Sequence, residues 1–218
     1  MSSLFATALL LGAAHSFAPD HLAAIGVFVS RRPQWRRALA IGARWGIGHS
    51  LVILIVGGAL VLTGWRFPAG VAPVVERAVG LTLIAIGIAA LVRALRLHGH
   101  RHEHDGLGHW HLHSHRRSEA HDHIHHAAVG MGMLHGLAGT GALVIALPLA
   151  ATESAPVALG YLLAFGVGTI LAMATFGLIA GWAVRGGGHR SPGLARATAS
   201  GAALASVLVG IWWVVAAS

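Results

Sequence analysis

Two histidines and one aspartate surround a proline in the heptapeptide HSFAPDH, residues 15–21. The flanking stretches are apolar, SSLFATALLLGAA before the heptapeptide and LAAIGVFV after it. Ionisable side chains are energetically unfavourable in such a run, and within a membrane segment they mark an ion or substrate path. Two further histidines, His49 and His135, lie in other apolar runs. Imidazole and carboxylate together suit Ni²⁺, Co²⁺ or Zn²⁺ and are too rich in nitrogen for Mg²⁺ or Ca²⁺.

Pro19 decides whether these side chains meet. On a straight helix, at about 100° per residue, His15 and His21 point roughly 120° apart. A proline inside a helix lacks an N–H donor and crowds the carbonyl four residues earlier, so it kinks or breaks the helix. We therefore predict a break that brings His15, Asp20 and His21 onto one ion and leaves freed carbonyls lining a cavity. The predicted metal ligands are His15, Asp20, His21, His49 and His135. The alternatives are a packing role for His135 and a proton relay through Asp20 and His21.

The composition is typical of a membrane protein. Of the 218 residues 56% are hydrophobic and only 10% are charged, and the mean hydropathy is +0.71. A soluble domain carries about 25% charged residues. We predict an all-α, polytopic membrane protein, and we interpret its N-terminal run as a retained helix rather than a cleaved signal peptide. Its six predicted transmembrane helices lie at roughly 3–29, 38–63, 73–96, 127–149, 155–184 and 194–217.

The arginines indicate an orientation. All fifteen basic residues are Arg, and most lie in or beside the connections 30–37, 97–126 and 185–193. The positive-inside rule places these connections in the cytoplasm and both termini outside. The net charge of +8 therefore does not indicate a nucleic-acid partner. The absence of cysteine excludes disulfides and thiolate metal ligands.

An ungapped comparison at an offset of 120 residues relates the two halves of the chain. GAAHSFA of 12–18 aligns with GMLHGLA of 132–138, and GIG of 46–48 aligns with GVG of 166–168. Since the halves enter the membrane from opposite sides, we predict two inverted three-helix repeats, residues 1–97 and 127–218, an architecture of transporters. The residues with predicted structural roles, in the helix break or in close helix packing, are Pro19, Gly46, Gly48, Gly166 and Gly168.

The segment 98–126 between the repeats is rich in histidine. Its spacing of two fits neither face of a helix, and Gly, Ser, Asp and Arg are interspersed. We predict a flexible cytoplasmic loop that binds metal, to feed an exporter or to buffer metal that arrives by uptake. The predicted auxiliary ligands are His98, His100, His102, His104, His109, His111, His113, His115, His121, His123, His125 and His126.

Three motifs resemble a known family. HSFAPDH matches the His-x4-Asp-His hallmark of the nickel/cobalt transporter (NiCoT/NicO) family, and RWGIGHSLV of 44–52 resembles its second signature. MLHGLAGTGAL of 133–143 resembles a segment of the short members, including the urease-accessory type. The resemblance implies a secondary transporter of Ni²⁺ or Co²⁺ in the bacterial inner membrane. It also implies that the metal-recognition positions are His15, Asp20, His21 and His49.

The chain departs from this family in two ways. Two acidic signatures that the long uptake members carry in later helices are absent. In the second repeat Thr140, Gly141 and Thr169 stand where the first has Asp20, His21 and His49. The predicted set of ligands is therefore asymmetric, with His135 its only strong ligand from the second half.

We therefore predict a transporter of a divalent metal ion, with the ion as its substrate, the lipid bilayer as its surroundings, no cofactor and no enzymatic activity. The second hypothesis is a nickel accessory or sensing membrane protein without transport. The third is a His-box metalloenzyme of the membrane desaturase kind. This is disfavoured because such boxes use spacings of three or four on helices, whereas the loop here uses a spacing of two.

Overall fold

The computed structural model describes residues 2–31, 34–64, 70–95, 98–104, 107–113, 124–139, 154–190 and 192–217. Within these ranges the chain forms seven helices and one two-stranded sheet. Their bounds are α1 Ser2–His15, α2 Pro19–Arg31, α3 Trp35–Thr63, α4 Val71–Leu95, β1 His98–His104, β2 Leu107–His113, α5 Ile124–Ala138, α6 Ala155–Arg190 and α7 Pro192–Ala216.

Four helices in the described part of the chain are long and apolar enough to cross a membrane. They are the four longest, at Trp35–Thr63, Val71–Leu95, Ala155–Gly186 and Gly193–Ala216. Large apolar side chains on their outer faces are exposed, as at Leu62 (68%), Trp182 (75%) and Leu208 (66%). Exposed side chains of this kind fit contact with lipid. The prediction of a helical, multi-span membrane protein is therefore confirmed at this level.

The other two predicted spans differ from single long helices. Segment 3–29 is divided into α1 and α2, of 14 and 13 residues, each shorter than the roughly 20 residues of a full span. Segment 127–149 begins in α5 and continues beyond residue 139, outside the described residues. The count of six spans is therefore not established by helix length.

Helix α6 is longer than predicted and occupies most of the predicted connection 185–193. It continues to Arg190, because no proline interrupts it before Pro192. Pro192 is then the first residue of α7, a position where its missing N–H is harmless. The glycines at 186–188 lower helix propensity without ending the helix.

The predicted break lies where the sequence placed it. Helix α1 ends at His15, and Pro19 is the first residue of α2. The freed carbonyl of His15 has a partner within the chain. The Ala18 N–H donates to this carbonyl at 3.0 Å, so a tight turn replaces the hydrogen bond that Pro19 is unable to make.

Helices α1 and α6 approach backbone to backbone. A Cβ added at Gly12 would collide with the carbonyl oxygen of Phe165, and one added at Gly168 would collide with that of Leu9. Any larger residue would force these helices apart. Glycine at both crossings is therefore a requirement of packing.

Helices α5 and α3 make the same kind of crossing. A Cβ at Gly132 would collide with the Trp45 carbonyl oxygen, and one at Gly48 would collide with that of Val129. Each member of these pairs lies 120 residues from a member of the corresponding α1–α6 pair. A third pairing joins α3 to α6, where Gly46 meets Ile170 and Gly166 meets Ser50.

The histidine-rich segment differs from the predicted flexible loop in the part that the structure describes. Strands β1 and β2 pair antiparallel, with His98 opposite His113 and His102 opposite His109. A spacing of two is the period of a strand, which explains why the pattern fitted no helix face.

The glycine crossings predict the effect of one added methyl group. Gly132→Ala should lower the melting temperature of the detergent-solubilised protein by at least about 2 °C, because overpacking costs about 1–3 kcal/mol. Gly130→Ala is the matched control on α5, since Gly130 is exposed and nothing lies within 4 Å of an added Cβ. Melting is measured by size-exclusion chromatography after heating. Equal melting temperatures for the two variants would show that the α3–α5 crossing tolerates a side chain.

Candidate metal centre

Three predicted ligands converge at the break between α1 and α2. His15 is the last residue of α1, and Asp20 and His21 lie in the first turn of α2. The ring centroids of His15 and His21 are 5.0 Å apart. The break therefore does what the sequence predicted, because on one straight helix these rings would diverge.

His49 completes a triad of imidazoles. It lies near the middle of α3 and is fully buried. Its ring centroid is 5.2 Å from that of His15 and 5.1 Å from that of His21. One ring nitrogen from each of the three residues lies within 4.8 Å of the other two. A modest inward movement would place all three at the roughly 2.1 Å typical of imidazole–metal bonds.

Asp20 and His135 lie beside this triad. The ring of His135, from α5, has its centroid 5.3 Å from that of His21. The Asp20 carboxylate lies between two imidazoles, with Oδ1 3.2 Å from His21 Nδ1 and Oδ2 3.8 Å from His135 Nε2. All five predicted ligands are thus brought together, from four helices.

The tautomer of His135 follows from its backbone contact. Its Nδ1 lies 3.0 Å from the carbonyl oxygen of Met131, which can only accept, so Nδ1 carries the proton. In the neutral ring the lone pair of Nε2 then faces the Asp20 carboxylate. Two electron-rich groups repel each other at this distance unless a cation lies between them. Metal-binding histidines commonly donate their other N–H to a carbonyl in this way.

The centre is buried, and its polar atoms lack partners. Asp20, His21, His49 and His135 are each at most 3% exposed, and His15 is partly buried. In the described part of the chain eight buried side-chain nitrogen and oxygen atoms have no hydrogen-bond partner. Seven belong to these five residues, and the eighth is Trp45 Nε1. Asp20 Oδ1 and His21 Nδ1 are two of the seven, because they lie 3.2 Å apart without the geometry of a hydrogen bond.

Unpartnered buried polar atoms cost about 1–3 kcal/mol each, so native structures rarely collect them. A divalent cation would satisfy several of these atoms at once. The donor set of imidazole nitrogen and one carboxylate fits a borderline transition metal rather than a hard cation.

Two helix ends add a field that favours a cation. Helix α1 ends at His15, and α5 ends at Ala138, next to Gly139. A Cβ on Gly139 would lie 3.4 Å from His15 Nε2, so both C-termini lie at the centre. A helix C-terminus carries a partial negative charge. Asp20 has the complementary position, since its carboxylate lies in the positive first turn of α2.

Two aromatic rings that the sequence analysis did not single out support the histidines. Trp45 is fully buried, and its ring centroid lies 4.9 Å from that of His135. The ring centroids of Phe165 and His15 are 5.7 Å apart. The offset of 120 that relates His15 to His135 also relates Trp45 to Phe165. A search for residues 120 positions apart among the sequence neighbours of the ligands would have found these two rings.

Thr169 occupies the position that corresponds to His49, and it has a structural contact instead of a ligand geometry. Its hydroxyl lies 3.2 Å from the carbonyl oxygen of Gly12 and 3.1 Å from that of Phe165. It therefore ties α6 to α1. Thr140 and Gly141 lie outside the described residues.

The auxiliary ligands predicted in the loop are placed only in part. The hairpin register sets three pairs of histidines opposite each other: His98 with His113, His100 with His111, and His102 with His109. His104 is opposite Leu107, and His125 and His126 lie in the first turn of α5. His115, His121 and His123 lie outside the described residues.

Comparison with known proteins gives the chain a family. A family profile described as "Cytochrome C biogenesis protein transmembrane region" matches residues 23–212. The urease accessory protein UreH of Bacillus sp. (strain TB-90) is 33% identical over 180 residues, which cover 82% of this chain and 76% of UreH.

Two longer relatives come from Arabidopsis thaliana. The chloroplast proteins FOR GROWTH AND FERTILITY 2 and 1 are 29% and 30% identical, over 80% and 78% of this chain. The chain spans about half of their length, 46% and 47%. No solved structure matches the chain significantly. The names of UreH and of the matching family describe accessory and biogenesis roles, which indicate a non-catalytic membrane protein. The chain therefore belongs to the membrane-protein family described as the cytochrome C biogenesis protein transmembrane region, and UreH is one of its relatives.

Proposed function

We propose that this protein is a secondary transporter that moves Ni²⁺ or Co²⁺ across the inner membrane of a bacterium. The observation that carries the proposal is the centre of four histidines and one aspartate, buried among membrane-length helices with its polar atoms unpartnered. Ionisable groups inside a membrane protein mark the route of an ion or proton. The motifs HSFAPDH and GIGHS, which resemble the nickel/cobalt transporters, supply these ligands. The relationship to UreH supports a role connected with urease, and the link to nickel is part of the proposal.

The architecture that we propose consists of two inverted repeats with the metal centre at their interface. The glycine crossings support it, because each contact between Gly12 and Phe165, or Gly168 and Leu9, has a counterpart 120 residues away. In such transporters broken helices meet near the midplane, and rocking of one repeat against the other exposes the site to each side in turn. The first two helices then form one broken span. The histidine-rich hairpin lies in the cytoplasm, and both termini lie outside.

The centre accomplishes two tasks in this cycle. The imidazoles of His15, His21 and His49 replace part of the water shell that the ion loses, and His135 completes the set. The Asp20 carboxylate offsets one of the two charges of the ion. His15 is the ligand that is not fully buried, so it is the first to meet an ion that enters. The loop histidines collect metal beside the entrance or exit.

The name of UreH favours a second candidate function, an accessory protein that hands metal to another protein without moving it across the membrane. The same centre would then store an ion rather than pass it on. Neither UreH nor the matching family is named for a catalysed reaction, so the comparisons do not favour the His-box enzyme.

Transport is tested with radioactive nickel in sealed vesicles of known orientation. His15→Ala, Asp20→Ala and His21→Ala should each lower the saturable flux at least about tenfold, because each removes a ligand. Asp20→Asn removes only the charge and keeps the shape. Thr7→Val is the matched control on α1, since this exposed hydroxyl bonds only within its own helix, to Ser3 at 2.9 Å. Wild-type flux in the ligand variants, with equal amounts in the membrane, would exclude this centre from transport. The orientation that gives flux assigns the direction.

The loop histidines separate transport from accessory function. The test variant has all twelve histidines between 98 and 126 replaced by Asn. These substitutions keep the chain length and the start of α5 at Ile124, whereas deleting the segment through residue 126 would remove the start of this helix. A transporter should keep a saturable flux with an altered half-saturation concentration, because the intramembrane centre is intact. An accessory protein that depends on the loop would show no flux in either vesicle orientation even as the wild type, and the variant would lose its accessory function.

A further inference from the structure

Gly139 lies against the ligands of the metal centre. It follows the last residue of α5, and its N–H donates to the His135 carbonyl at 2.8 Å. A Cβ at this position would lie 3.4 Å from Nε2 of His15 and 3.4 Å from Cε1 of His49. Among the glycines that the structure describes, it is the one whose missing side chain would meet imidazole atoms. The space beside it therefore adjoins the ligands directly.

The backbone does not require glycine here. Gly64 is the described glycine with a positive φ, so an L-residue at 139 incurs no strain of that kind. Neighbouring helices do not require it either. The Cβ of Gly136 would lie 2.5 Å from the His49 carbonyl oxygen, whereas nothing so close surrounds Gly139. The nearest atom to an alanine Cβ would be the His135 carbonyl oxygen at 3.3 Å, which would have to give by at most a few tenths of an ångström, and the two imidazole atoms would be in ordinary contact at 3.4 Å. The alanine methyl would occupy space next to His15 Nε2. This atom has no hydrogen-bond partner among the described residues.

We infer that Gly139 keeps one coordination position of the bound ion open for water, and thereby selects ions that accept six ligands, five from the protein and one water. This inference rests on the proposed metal centre and names its selectivity. Zn²⁺ is satisfied by four ligands in a tetrahedron, whereas Ni²⁺ and Co²⁺ readily accept five or six. An alanine methyl at 139 would lie 3.4 Å from both His15 Nε2 and His49 Cε1, so it would occupy space beside these two ligands that glycine leaves to a water molecule.

Co²⁺ is the probe, because its visible absorption is several times stronger in four-coordinate than in six-coordinate sites. The full-length protein is purified in detergent with the twelve loop histidines replaced by Asn in every sample, so that only the intramembrane centre binds. Wild type should show weak bands. Gly139→Ala should show stronger bands than the wild type, because the ion falls from six ligands to five, and an affinity ratio of Co²⁺ to Zn²⁺ lowered about tenfold, the size of effect that outer contacts of a metal site produce.

Two further variants make the result specific. Gly139→Ser supplies a hydroxyl in place of the water and should keep the weak bands, although its side chain is larger than that of alanine. Gly130→Ala, in open surroundings on the same helix, should behave as wild type. Equal spectra and equal metal preference for wild type, Gly139→Ala and Gly139→Ser would overturn the role of Gly139.

A fourth variant separates this inference from the proposed function. If His21→Ala abolishes Co²⁺ binding while Gly139→Ala changes nothing, the centre stands and the role of Gly139 is wrong. If His21→Ala leaves Co²⁺ binding unchanged, the intramembrane centre does not bind metal, and both proposals fail.

Discussion

The burial of four imidazoles and one carboxylate among apolar helices is the constraint on which the rest of this structure depends. Such groups lose their water and must find partners inside the protein. Here seven of their polar atoms find none in the protein itself. Helices α1, α2, α3 and α5 nevertheless bring them to one point, with two helix C-termini beside them. A cation from outside the chain would give several of these atoms a partner at once.

Close backbone contact makes this convergence possible. The rings of His15 and His135 each lie against an aromatic ring of another helix, at distances that leave little room between the helices. Glycines at the crossings provide that closeness, as at Gly12 and Gly132. Side chains then supply the remaining ties. Ser50 donates to the Gly166 carbonyl at 3.1 Å, and Ser206 donates to that of Leu83 at 2.9 Å.

Much of the fold and the centre could be predicted because their causes are local. The apolar runs identify the four long helices, and the position of Pro19 identifies the break that joins His15 to His21. Convergence of His49 and His135 followed from the rule that buried ionisable groups face inward. Residues that act through packing were harder to find. In the sequence Trp45 looks like an ordinary core residue, and nothing in the sequence shows that Gly139 lies beside the rings of His15 and His49.

Two errors concerned segments in which local signals conflict. The predicted helix ended at 184 and left 185–193 as a connection, but α6 runs on to Arg190. In the histidine-rich segment polar composition suggested flexibility, although the period of two was itself the mark of a strand. The hairpin register then depends on pairing across the turn, which composition does not reveal.

The single carboxylate among the ligands has an electrical consequence. With Asp20 ionised and the imidazoles neutral, the empty centre carries one negative charge, and the centre loaded with a divalent ion carries one positive charge. A membrane potential acts on each with about 2.3 kcal/mol per 100 mV for a charge that crosses the whole field. In the proposed transport cycle the loaded and the empty forms would therefore be driven in opposite directions. A potential that is negative inside would draw the loaded form inward and push the empty form back, so that the voltage itself would turn the cycle.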